Sequence, residues 1–143
     1  MHAIIIAKEI CIKWPKTSSE IQEKANAFKK ISTKGILSGC VGTIDGILIP
    51  IKVPSRKETG HVKNYFSGYY HCYGVNVQAC ADADCCFTFL SAASPGGVND
   101  LIAVRKSGLM ELINNLLLLM YVVGDNAYVY AEHILTPFSG HAR

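Results

Sequence analysis

Two aspartates stand where aspartate is costly. Asp45 lies inside the most apolar stretch of the chain, Val41 to Val53, and Asp125 follows Tyr121-Val122-Val123-Gly124. An ionised carboxylate in a buried strand costs several kcal/mol, order of magnitude, unless something pairs with it. The end of a buried strand in an open α/β sheet is also where sites collect. If the two strands run side by side and parallel, the carboxylates converge. Paired carboxylates suit a hard divalent cation that keeps waters or substrate phosphates in its other positions, and that chemistry serves metal-assisted phosphoryl transfer. The competing reading is that Asp45-Gly46 and Asp125-Asn126 are ordinary turn dipeptides whose carboxylates bind backbone N–H groups. Spacing alone leaves both open.

Other residues invite chemistry less strongly. Asp100 follows Asn99 ahead of an apolar helix, a position that suits an N-cap. His61, His71, Cys72, Cys80, Cys85 and Cys86 include no repeated zinc-ligand spacing. From Arg56 to Tyr73, bases and aromatics interleave (Arg56, Lys57, Lys63, Tyr65, Phe66, Tyr69, Tyr70) as in single-strand binders, whose rings stack on bases while cations track phosphates; a solvated loop has the same composition.

These residues need elements to hold them. Trp14-Pro15 marks an entry turn, Ser19 with Gln22 reads as a capping box, and Ile21, Ala25, Phe28 and Ile31 recur at helical spacing. Val41 to Val53 reads as a central strand with apolar residues on both faces. Pro54 to Cys72 reads as a long connection or lid. Gly74 to Ala81 and Cys85 to Ala92 read as strands closed into an antiparallel hairpin by Asp82-Ala83-Asp84. Pro95-Gly96-Gly97 breaks the pattern. Leu101 to Leu119 reads as helix, interrupted at Gly108, with Leu116 to Leu119 as core packing, and Met120 to Val123 as a short strand. The order predicts an α/β fold with a mixed sheet, a three-strand antiparallel meander, a crossover helix and a parallel fourth strand, the order of an RNase H-like core, which other α/β folds share. A helical lead-in over residues 1–38 precedes the α/β domain over 39–143.

Composition sets bounds. A chain of 143 residues, half of them hydrophobic, can bury a single sizeable core. The net charge of +3 permits contact with phosphate without requiring it. The six cysteines come with no signal-like leader, because Met1 to Ala7 runs straight into Lys8 and Glu9. A reducing compartment, nucleus or cytoplasm, is the expectation. The run Leu112 to Val123 is too short for a membrane span.

Four ordered motifs then resemble PIF/Harbinger-like DDE superfamily endonucleases over roughly residues 13 to 138. Gly39-Cys40-Val41-Gly42-Thr43-Ile44-Asp45-Gly46 resembles the first catalytic motif and Gly74-Val75-Asn76-Val77-Gln78-Ala79 the second strand. Ser94-Pro95-Gly96-Gly97-Val98-Asn99-Asp100 resembles the loop before the crossover helix, and Gly124-Asp125-Asn126-Ala127-Tyr128 the second catalytic motif; Leu135-Thr136-Pro137-Phe138 matches the family's segment just downstream of it. The resemblance implies DNA cutting and joining with Asp45 and Asp125 as the first two metal-binding acids, Mg²⁺ or Mn²⁺ as cofactor, and Asp100 as a secondary ligand. It implies DNA as partner; because no helix-turn-helix or other reader motif precedes the core, a separate DNA-reading protein is expected to supply recognition, and apolar sheet surface left bare by a missing terminal helix would favour self-association. Relatives carry a third acid, a Glu on a helix well downstream of the second Asp. No equivalent follows Asp125 before Arg143, Glu132 falls in the wrong motif, and a basic pair common before the second strand is replaced by Phe66-Ser67-Gly68. The chain is therefore expected to be cut short before its third acid, with weak or absent cleavage. The alternative is a non-catalytic transposase-derived remnant acting as a binding or structural module.

Overall fold

The computed structural model describes residues 12–138. Its first element is helix α1, Ser18–Ile31. The capping box lies two residues earlier than Ser19 and Gln22 would put it. Thr17 is the N-cap, its hydroxyl accepts from Glu20 N at 3.2 Å, and the Glu20 carboxylate accepts in return from Thr17 N at 3.0 Å. Glu20 also accepts from Lys16 N and from Lys13 Nζ, each at 2.8 Å. An ionised acceptor bonds these donors more strongly than a neutral Gln would. Ile21, Ala25 and Phe28 are buried on one face, whereas Ile31, at the last position, is exposed.

Strand β1, Cys40–Pro50, is central. It pairs antiparallel with β3, Cys72–Ala81, in the register Thr43 to Ala81 through Pro50 to Gly74. On its other side it runs parallel to β5, Tyr121–Val123, with Thr43 opposite Val123. β4, Phe87–Pro95, pairs antiparallel with β3 and completes the expected meander. Two short strands extend the sheet to six: β2, Phe66–Ser67, pairs antiparallel with the start of β3, and β6, Ile134–Leu135, runs parallel to β5. The result is a mixed α/β fold.

The crossover between β4 and β5 is two helices, α2 (Asp100–Lys106) and α3 (Leu109–Asn114). Gly108, at φ +83°, separates them in the left-handed region that glycine enters at no steric cost. The helix stops at Asn114, short of Leu119. Leu116 is buried, but Leu117, Leu118 and Leu119 are exposed, so the four leucines are not one block of core. Val104, Leu109 and Ile113 join Ile21 and Ala25 of α1, Ile44, Cys80 and Val122 of the sheet, and Trp14 in one core. Each fully buried aliphatic side chain there contributes about 1.5–3 kcal/mol. No helix among the described residues is long and apolar enough to cross a membrane.

Two further expectations are corrected. β1 is not buried on both faces: Ile44 is 3% exposed, whereas Ile47 and Ile49, on the alternate face, are 56% and 46% exposed because no described element packs over them. The hairpin loop also takes in Cys85 and Cys86, because Cys85 adopts φ +60° and cannot continue a strand. Asp82 organises that loop. Its Oδ1 accepts from Asp84 N at 3.0 Å and Cys86 N at 2.9 Å, and its Oδ2 meets Lys24 Nζ of α1 at 2.7 Å.

Burial pushes the Asp82 carboxyl up, but the Lys24 ammonium and the Cys86 and Asp84 N–H groups outweigh it and hold the carboxyl below the ordinary aspartate range. Because the folded-state value is the lower one, this stabilisation is present above the unfolded pKa of about 4 and is lost as pH falls below it. Asp82→Ala is expected to cost about 1.5–3 kcal/mol at neutral pH, the range for hydrogen bonds to a charged group. Urea denaturation at pH 7 and pH 3 should show the deficit shrinking in acid; an equal deficit at both would rule out the ionised carboxylate as its source.

Candidate metal-binding and cleft site

Asp45 and Asp125 occupy equivalent places on neighbouring parallel strands. The last paired residues are Thr43 and Val123, and each acid lies two positions beyond its own. Both are exposed rather than buried, so the desolvation cost argued from the apolar sequence does not arise. Asp45 falls on the open face of β1 with Ile47 and Ile49, where water reaches it. Each carboxylate also makes the local bond of the turn reading: Asp45 Oδ1 accepts from Gly46 N at 2.8 Å, and Asp125 Oδ1 from Ala127 N at 2.9 Å. In each case one oxygen remains for another ligand.

Asp100 is not the cap of α2. Asn99 is, its side chain accepting from Ile102 N at 2.9 Å. This leaves the Asp100 carboxylate to turn inward, where Oδ1 accepts from Asn76 Nδ2 at 3.0 Å and Gln78 Nε2 at 2.9 Å. Gln78 Nε2 also donates to Asn76 Oδ1 at 2.8 Å, and Tyr128 donates its hydroxyl to Gln78 Oε1 at 2.8 Å. Gln78, Tyr128 and Asn76 are 1%, 4% and 7% exposed. One buried chain of hydrogen bonds thus ties the loop carrying Asp125 to β3 and to the start of α2. Desolvation first, then the charges of Asp100, Asp45 and Asp125, push the Tyr128 phenol up. The charges of all three acids thus bear on one buried hydroxyl.

Asp100 and Asp125 line a cleft of about 420 Å³ that also takes in Gly46, Asn99, Tyr69 and Tyr70; Asp45 stands beside it, outside its walls. Glu132 lies elsewhere, sharing a depression with Gly39 and Tyr121 at the starting ends of β1 and β5. Among the described residues no three His, Cys, Asp or Glu side chains gather closely enough to hold a metal ion by themselves. The donor set fits a hard divalent cation that takes two carboxylates and draws its other oxygens from water or phosphate.

A family model described as DDE superfamily endonuclease matches residues 44–143. The chain belongs to the DDE superfamily endonucleases. It is similar to Protein ALP1-like from Arabidopsis thaliana, 28% identical over 143 residues, an alignment covering 90% of this chain and 33% of that protein. The chain thus spans about a third of the length of that curated relative. No solved structure matches. The resemblance to PIF/Harbinger-like DDE endonucleases read from the four ordered motifs holds. DDE superfamily endonucleases use divalent metals, and the matched region contains Asp45, Asp125, Asp100 and the whole hydrogen-bonded chain behind them.

Sequence reasoning misses that chain. It treats residues 74–79 as strand and nothing more, although two amides at alternate positions among Val and Ala mark a polar row on a core face. Arg56 and Lys63 line a shallow hollow of their own with His61 and Asn64 rather than the cleft of the acids, and Lys57 is exposed nearby in sequence. Cys40 and Cys80 are buried, and burial pushes their thiols up to about 11 and about 12, which suits packing rather than ligation.

Proposed function

We propose that this chain carries the first two metal-binding acids, Asp45 and Asp125, of a divalent-metal-dependent DNA endonuclease domain of transposase descent with an RNase H-like core. The observation that supports it most is the parallel pairing of β1 and β5, which sets the two acids at the same offset past Thr43 and Val123. A bound Mg²⁺ or Mn²⁺ would activate water and stabilise the leaving oxygen of a phosphodiester. The protein's own part is to hold Asp125 by its bond to Ala127 N and to anchor the adjoining loop through Tyr128 and Gln78. Asp100, with Oδ1 engaged by two amides, serves on this reading as an orienting group at the cleft wall and a secondary ligand. DNA is the substrate by family. With two acids at the site, cleavage by this chain alone is expected to be feeble or absent.

A second reading, a non-catalytic remnant, draws on the backbone bonds that both acids already make and on the finding that, among the described residues, no three acidic or other ligating side chains gather closely enough to hold a metal ion. Titration with Mg²⁺ separates the two. Binding by both acids should raise thermal stability by about 1 kcal/mol at a few times the dissociation constant, and Asp45→Asn or Asp125→Asn should remove the response. Asparagine can still accept the same backbone bond, so a turn role survives the change. An Mg²⁺ response that persists in both variants, or none in the parent at about 10 mM, would refute the shared site.

A further inference from the structure

Two tyrosines at the mouth of the cleft have no structural task. β2 and β3 form a hairpin in which Ser67 faces Cys72, and its tip is Gly68 to His71. Buried Ser67 accepts from Tyr70 N at 3.3 Å, and His71 takes φ +53°, so the tip has a defined shape. It presents Tyr69 and Tyr70 at 85% and 57% exposure, edge to face with centroids 4.9 Å apart. Large rings so exposed contribute little to a core, yet both line the cleft that contains Asp100 and Asp125.

Two features say what would enter. The inner wall is acidic, which repels phosphate but tolerates a neutral ring, and the carboxylates can accept from an exocyclic amino group. Cations lie next door, at Arg56 and Lys63, and that segment is joined to the cleft where Gly97 N donates to Asn64 O at 2.8 Å. A strand of nucleic acid meets both conditions if its phosphates follow the basic hollow and one unpaired base turns into the cleft against a tyrosine face.

We propose that Tyr69 and Tyr70 form a stacking site for an unpaired nucleobase of a DNA strand, with Arg56 and Lys63 as its phosphate contacts. This rests on the reading of DNA as the substrate but not on metal binding, so it is tested in EDTA with the full chain. Fluorescence anisotropy would compare a labelled single strand of about 15 nucleotides with the same strand carrying abasic sites throughout its middle. The parent chain should prefer the base-bearing strand by about tenfold. The Tyr69→Ala/Tyr70→Ala double variant should lose that preference by weakening only on the base-bearing strand. Arg56→Ala/Lys63→Ala should weaken both strands alike and flatten the salt dependence.

Equal binding of the two strands by the parent chain, or a double tyrosine variant indistinguishable from it, overturns the stacking site. Tighter binding of a blunt duplex, insensitive to the tyrosines, does the same. Base preference without an Mg²⁺ response keeps the stacking site and rejects the metal reading. An Mg²⁺ response without base preference does the reverse, and binding of neither strand removes this site and the DNA reading together.

Discussion

Gln78→Leu is expected to destabilise the fold by about 3–5 kcal/mol, among the largest effects of any single polar substitution in this chain. Leucine matches the volume, so packing changes little, and what is lost is hydrogen bonding in a site only 1% exposed. Tyr128 loses the acceptor for its hydroxyl, while Asn76 Oδ1 and Asp100 Oδ1 each lose a donor. A buried polar group left unpaired costs about 1–3 kcal/mol, and more when it is charged. Asp100 keeps Asn76 Nδ2, which limits the damage. Loss of this size should lower the melting temperature by roughly 10 °C in a domain of this length. Tyr128→Phe is the control: it removes the donor and leaves only Gln78 Oε1 unpaired, so its cost should be well under half. Thermal denaturation followed by circular dichroism decides it. If Gln78→Leu melted within about 2 °C of the parent, the chain of hydrogen bonds would not be an energetic feature of the fold.

Gly46→Ala should be nearly as severe although it adds one methyl group to a residue of the central strand. A Cβ at this position would meet the Asp100 carboxylate, with Cγ at 2.7 Å, and the Gln78 amide, both closer than real contacts allow. Neither neighbour is a free flexible end, since each is held by hydrogen bonds to the other and to Asn76. The methyl must therefore displace Asp100 or push β1 away from β3. Overpacking of this kind costs about 1–3 kcal/mol and more where a polar network breaks with it. Because Gly46→Ala and Gln78→Leu act on one network, the double variant should lose less than the summed effects, a shortfall of about 1 kcal/mol or more in urea denaturation. Strict additivity would show that the methyl group is accommodated elsewhere. On the proposed function, Asp100 is the acid that this glycine seats, so the variant should also alter the cleft in which Asp125 stands.

Much of the frame was legible in the residues. Alternation of apolar positions marks β1, β3 and β4 to within a few residues, and the Asp82 turn closes the hairpin. Gly108 marks the break in the crossover, and Met120 to Val123 reads as the strand before Asp125, within one residue of β5. The errors are as informative. Apolarity of β1 implied burial on both faces, but burial depends on what packs over a strand, and Ile47 and Ile49 have nothing described above them. The cap of α1 went to Thr17 rather than Ser19 because Glu20 is the better reciprocal acceptor. Asp100 competed with Asn99 for the cap of α2, and only the folded chain could award it to Asn99.

The sequence by itself determined the family, the order of the elements and the two candidate aspartates, Asp45 and Asp125, since all three rest on local spacing and ordered motifs. Tertiary structure decided which polar groups find one another. Tyr128 and Gln78 are 50 positions apart and Gln78 and Asp100 are 22 apart, and no periodicity along the chain encodes such a meeting. It also decided that Asp45 and Asp125 face water while Asp100 turns inward, because exposure is set by which elements pack over a residue and not by the residues beside it.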